Sequence, residues 1–107
     1  MLLTTTPNIE EHQIIQTLGM VRGSTIRAKH VGTDIVASLR SLVGGEVKGY
    51  TAMMAGSREQ AMDRMVQEAQ SMGADAIVGI RITTSTVMAG AAEILCYGTA
   101  VKLTNRP

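Results

Sequence analysis

The sequence predicts a two-layer α+β protein in which an antiparallel sheet is covered by helices. Three observations carry this. A β-branched apolar stretch, Ile14 to Lys29, opens the ordered part of the chain. A middle stretch, Ser57 to Met72, repeats its apolar residues at helical spacing, and after Gly73 the period changes to two. The implied order is strand, short helix, long helix, strand, strand.

Residues 1–13 are polar and contain Pro7, so they read as an extended N-terminal arm. Strand character begins at Ile14, with Ile14, Leu18, Met20 and Ile26 on one parity. Gly19 and Gly23 fall inside this run, and interior strand glycines mark a bulge or a close backbone approach. A short helix follows. Thr33 suits its N-cap and Asp34 its first turn. Ile35, Val36, Leu39, Leu42 and Val43 give the stripe, and Gly44 the left-handed stop.

The loop GGEVKG leads into the long helix, whose start has two readings. Ser57-x-x-Gln60 is a capping box and starts it at Ser57. Thr51 to Ala55 is also helix-compatible, and Gly56 in a helix interior costs only about 1 kcal/mol. The reading adopted is Tyr50 to Met72, with Ala61, Met62, Met65, Ala69 and Met72 on the buried face.

Two strands follow, from Ala76 and from about Ala92 to Leu103, joined at Met88-Ala89-Gly90-Ala91. With Ala89 and Gly90 as a two-residue loop, residue 82 faces 97 and residue 78 faces 101. Val78, Ile80 and Ile82 are then expected against Met62, Met65 or Ala69. The other face carries Gly79, Ile94, Cys96, Gly98 and Ala100. Such small apolar residues call for cover, from a helix of the same chain or from a second copy.

Composition narrows the function. The 107 residues hold no Phe or Trp, two Tyr and eight Met, with a net charge of +1. A balanced charge without basic runs gives no field for nucleic acid or an anionic membrane, and the missing aromatics remove base-stacking platforms. No apolar run approaches the ~20 residues of a membrane-spanning helix. The N-terminus lacks the basic and apolar regions of a signal peptide, and one unpaired cysteine fits a reducing compartment. The expected location is the cytoplasm. A core without large aromatics buries little area per residue, which favours self-association.

The strings VRGSTI, SLVGGEVKGYT, GADAIVGIRI and AAEILCYGTAV, in this order between Arg22 and Val101, resemble the YbjQ-like family, labelled as heavy-metal-binding. The resemblance covers nearly the whole chain. It implies a β-α-β-β core like that of dodecin subunits, with the short helix as an addition. It also implies a ring-shaped homo-oligomer of five copies. It brings no assigned activity or site.

The residues supply little catalytic chemistry. Tight zinc or copper sites draw on three or four soft or borderline donors. Cys96, His12 and His30 are widely separated in sequence, with no CxxC or HxxxH, so the metal candidates reduce to Cys96 and His30, with copies meeting on a ring axis as the one route to a site. The simpler reading makes Cys96 a buried small hydrophobe, His30 a surface residue and the methionines core filler. No G-x-S-x-G elbow or phosphate-binding glycine motif occurs, and without Trp flavin is set aside. Glu46 and Glu93 are the acids in the most apolar surroundings, with Arg22 or Arg64 as expected structural partners. Arg22, Glu46 and Tyr50, contributed by neighbouring chains, form the candidate ligand-binding set. The expectation is a non-enzymatic protein without cofactor that binds itself and an unidentified small ligand or partner. A metal site between subunits and an enzyme site between subunits are the alternatives.

Overall fold

The computed structural model describes residues 1–28, 45–88 and 91–105. The elements are β1 (Leu2–Leu3), β2 (His12–Ala28), α1 (Gly45–Ser71), β3 (Ala76–Met88) and β4 (Ala91–Asn105). The strands form one sheet in the order β1-β3-β4-β2. Strands β2 and β3 both run antiparallel to β4, whereas β1 runs parallel to β3. The sheet is therefore mixed, which corrects the purely antiparallel expectation. The expected short helix, Thr33 to Gly44, lies outside the described residues.

Helix α1 starts at Gly45, ahead of both expected starts, so much of the anticipated glycine loop is helical. Ser57 is not a cap. It is fully buried in the helix interior, where its hydroxyl accepts from Arg27 Nε at 2.6 Å and its carbonyl accepts from Thr25 Oγ1 at 3.2 Å. A serine with strand donors against it has no need to start a helix. Gly73, at φ 77, provides the left-handed residue just past the helix end.

The glycines of β2 take the two roles that strand glycines allow. Gly19, at φ 135, follows a register shift between Thr17 and Gly19. Gly23 is a close approach: a Cβ there would sit within 3.0 Å of the Ala61 carbonyl oxygen, the Met65 amide nitrogen and Arg64 Cβ. Only a residue without a side chain lets the helix backbone rest on the strand at this point.

The main core follows from that contact. Val21, Ile77, Ile80, Ile94, Cys96 and Ala100 of the sheet pack against Ala61, Met65 and Ala69 of α1. The small face of β4 and Met65 of the methionine stripe are thus satisfied within one chain, while Met72 at the helix end stays exposed. This removes the argument that Gly98 and Ala100 await another copy.

The hairpin register differs from the simple count. Met88 pairs with Ala91, but Ile82 then faces Cys96 and Val78 faces Thr99, shifts of one and two residues from expectation. Val87 is the first extra residue, between Thr86 and Met88. The second lies at Gly79-Ile80, which together oppose Gly98, with Gly79 at φ 63. Each bulge inserts one residue and exchanges the two faces. Of the three residues expected under the helix, Ile80 is there. Val78 joins a second cluster with Ala76, Val101, Ile9, Ile14 and Leu103, and Ile82 is 41 % exposed. The helix-side β3 residue that the simple alternation misses is Ile77.

The N-terminal residues lie along the chain's own sheet. Leu2 and Leu3 pair with Ala76 and Ile77, and the carbonyls of Thr6 and Thr4 accept from the Gly79 and Ile80 amides.

Candidate functional site

Arg22 is exposed on β2, directly opposite Tyr97 of β4, whose other neighbour is Arg81 of β3. Directly opposed residues share a face, and their Cβ atoms stand about 5 Å apart. Because Gly23 and Cys96 face the helix, this row lies on the sheet face away from it. Tyr97 is half-buried. Arg81 is anchored, donating through Nη1 to the carbonyls of Thr5 and Ile80 at 2.9 and 2.8 Å. No side-chain hydrogen bond of Arg22 occurs among the described residues. The register sets one arginine on either side of Tyr97 along this face, and a row of that kind suits an anionic group. Sequence reasoning singled out Arg22 and missed Tyr97 and Arg81. The shifted register hid their alignment, since the simple count put Ile82 opposite Tyr97.

Glu46 and Tyr50 fall in the opening turns of α1, and His30 lies outside the described residues. The Arg22 amide donates to Glu68 Oε1 at 3.0 Å, which fixes Arg22 beside the C-terminal part of the helix. At 1.5 Å rise per residue, Tyr50 is about 27 Å and Glu46 about 33 Å further up the helix. One copy therefore does not bring Arg22 to Glu46 and Tyr50.

The expected structural pairings also resolve differently. Arg64 donates through Nη1 to the Ser24 carbonyl at 2.6 Å rather than to a carboxylate. Glu93 is half-buried, opposite Ile26 on one side and Ser85 on the other. Glu68 and Arg64 together cap outward-pointing backbone groups along the free side of β2.

Cys96 is fully buried under α1, with its sulfur 3.6 Å from Met65 Sδ. Burial pushes the thiol pKa up, away from the thiolate needed for nucleophilic attack or metal ligation. His12 keeps a buried Nδ1 without a hydrogen-bond partner among the described residues, but it stands at the far end of β2, opposite Asn105. Among the described residues no three His, Cys, Asp or Glu side chains converge as a metal site would require. Among the described residues these donors do not fit a heavy-metal ion. None of the described helices is long and apolar enough to cross a membrane.

The fold defines the class first: a four-stranded mixed sheet with one long helix across one face. A crystal structure of a protein of unknown function from Pediococcus pentosaceus, assigned to the DUF74 family, shares this fold. Its TM-score is 0.66 at 17 % identity, over 97 % of this chain and 98 % of that one. The family follows from the sequence. Residues 1–104 match the YbjQ family, described as "Putative heavy-metal-binding", and the chain belongs to that family. A UPF0145 protein of Methanococcus maripaludis is 60 % identical over 105 residues, covering 98 % of this chain and 94 % of its own length. A UPF0145 protein of Methanosarcina acetivorans is 58 % identical over 106 residues, covering 99 % and 100 %.

Proposed function

We propose that the chain is the subunit of a homo-oligomeric ring that binds a small ligand or protein partner in the cytoplasm and performs no chemistry of its own. Surface area carries this reading. The accessible surface is 6978 Å² for a mass of 11.4 kDa. A compact monomer of that mass exposes about 5,770 Å², so the excess is about 1,200 Å². A standard interface takes roughly 800 Å² from each partner, so the excess covers one such contact and part of the second that a ring subunit makes. The shape agrees: the radius of gyration is 17.6 Å, against about 13 Å for a compact chain of this length. Exposed apolar side chains mark where cover is missing. Met20 and Ile26, on the face away from the helix, are 66 % and 63 % exposed.

Five copies is the number that the YbjQ-like resemblance implies. The ligand subsite best supported is the Arg22–Tyr97–Arg81 row, which suits an anionic small molecule. Glu46 and Tyr50 contribute only if a neighbouring copy supplies them. Among the described residues the thiol is buried and the acids do not converge, which gives the metal and enzyme alternatives no support there. Size exclusion coupled to light scattering at micromolar protein tests the reading. An oligomer well above 11.4 kDa is expected, and a single species at that mass would remove the reading.

A further inference from the structure

The Arg22–Tyr97–Arg81 row holds its two cations in different ways. A guanidinium carries five N–H donors. Those on Arg81 Nη1 go to backbone carbonyls, of Thr5 in the N-terminal residues and of Ile80. The donors on Nε and Nη2 make no hydrogen bond among the described residues, and this edge of the fork matches two oxygens of a carboxylate or phosphate. Arg81 is thus fixed by backbone through one nitrogen and open along its other edge. Arg22 is anchored through its amide alone, to Glu68 Oε1.

No hydrogen bond among the described residues joins either guanidinium to a carboxylate. Along β4 the first acid on the face of Tyr97 is Glu93, about 14 Å away at the rise of an antiparallel strand. Between them stands Leu95, half-buried like Tyr97 and flanked by Ser24 and Thr83. The central strand therefore presents a ring and a leucine in line. A cation stands on each neighbouring strand beside the ring, about 4.8 Å away at the backbone.

Magnitudes decide what such a surface holds. An exposed ion pair shifts an equilibrium by roughly fivefold at most, so charge alone retains no inorganic anion. A half-buried ring adds area for stacking, and a guanidinium plane stacks on π systems as well. Both select a ligand with a flat body.

We propose that the row is a site for a flat-bodied organic anion. Its carboxylate or phosphate takes the open edge of Arg81, its aromatic body lies on Tyr97 toward Leu95, and Arg22 meets it from β2. The inference rests on the ligand reading above and names the chemical class.

Isothermal titration calorimetry on the untagged full chain, with phenyl phosphate, benzoate and inorganic phosphate as probes, tests it. The ring-bearing anions are expected to saturate at one per chain and to bind at least about tenfold more tightly than inorganic phosphate. The tighter of the two identifies the anionic group. Tyr97→Leu should bring them down to the affinity of inorganic phosphate, whereas Tyr97→Phe keeps the ring and should stay within about twofold of wild type. Arg81→Lys keeps the charge, loses the fork, and should weaken both at least about fivefold. Light scattering and circular dichroism of each variant check that mass and fold are unchanged. Equal affinity for ring-bearing and ring-free anions would overturn the flat-bodied class and leave the anionic-ligand reading standing. Ring-bearing probes indifferent to Tyr97→Leu and Arg81→Lys bind elsewhere, which would also overturn the site. If no probe binds saturably at millimolar concentration, both the site and the anionic-ligand reading fall.

Discussion

Gly23→Ala measures how closely the helix sits on the sheet. The new methyl would lie within 3.0 Å of the Ala61 carbonyl oxygen, the Met65 amide nitrogen and Arg64 Cβ. Two of these are backbone atoms, so no rotamer change relieves the clash. To restore ordinary contact the helix must lift by roughly an ångström, and a gap of 0.5–1 Å already forfeits about a quarter to a half of each dispersion contact. The lifted interface contains Val21, Met65, Ala69, Ile94 and Cys96, all at most 1 % exposed. The Thr25–Ser57 and Arg64–Ser24 hydrogen bonds cross the same seam. Overpacking a core costs about 1–3 kcal/mol when side chains can yield. With backbone on both sides we expect about 3 kcal/mol or more. For a domain near this size that is a fall in Tm of about 12–24 °C. The assay is urea or thermal unfolding followed by circular dichroism at one fixed protein concentration, because association shifts apparent stability. A Gly23→Ala protein within about 1 kcal/mol of wild type would refute the close-approach reasoning.

Gly56→Ala is the internal contrast. A Cβ there meets nothing within 4 Å, so replacing a helix-interior glycine should stabilise by about 0.5–1 kcal/mol, read by the same unfolding curves. Ile80→Asp places a charge among Met65, Ala69 and Ile94, and no soluble folded protein, or a loss of several kcal/mol, is expected in expression and melting assays. Cys96 should resist a thiol-specific colorimetric reagent in the native state and react on unfolding, and Cys96→Ala should leave zinc and cadmium binding by dialysis unchanged. Because burial raises the folded-state thiol pKa, the unfolded chain loses this proton first as pH rises. Wild-type stability should then fall above about pH 8.5, by at most about 1.4 kcal/mol per pH unit, and Cys96→Ala should lack that component.

Much of the fold was legible because its signals are local. Helical spacing from Ala61 to Ala69 and the change of period after Gly73 located the long helix and the hairpin. What was not legible depended on single inserted residues. The bulges at Gly79-Ile80 and Val87 each exchange the faces of β3, and period-two counting cannot see an insertion that leaves the composition unchanged. Val78 was misplaced for that reason, and Arg81 was not aligned with Tyr97 and Arg22, whereas Ile82, opposite Cys96, keeps the helix side and is exposed there. Ser57 misled in another way: its spacing to Gln60 imitates a cap, while Arg27 on a distant strand binds both Ser57 Oγ and Gln60 Oε1. The parallel pairing of Leu2 and Leu3 with β3 was hidden because a two-residue strand carries no periodicity. Cys96 was read correctly as a small core residue, since its neighbours in sequence supply no base or cation.

The central claim is that this chain works as an assembly of identical subunits, and its most direct test is the intact mass under native conditions of protein purified without a histidine tag. The account predicts a single assembly at five times 11.4 kDa, about 57 kDa, with any retained anionic ligand as an additional mass. A spectrum containing only the 11.4 kDa chain at micromolar concentration would contradict it.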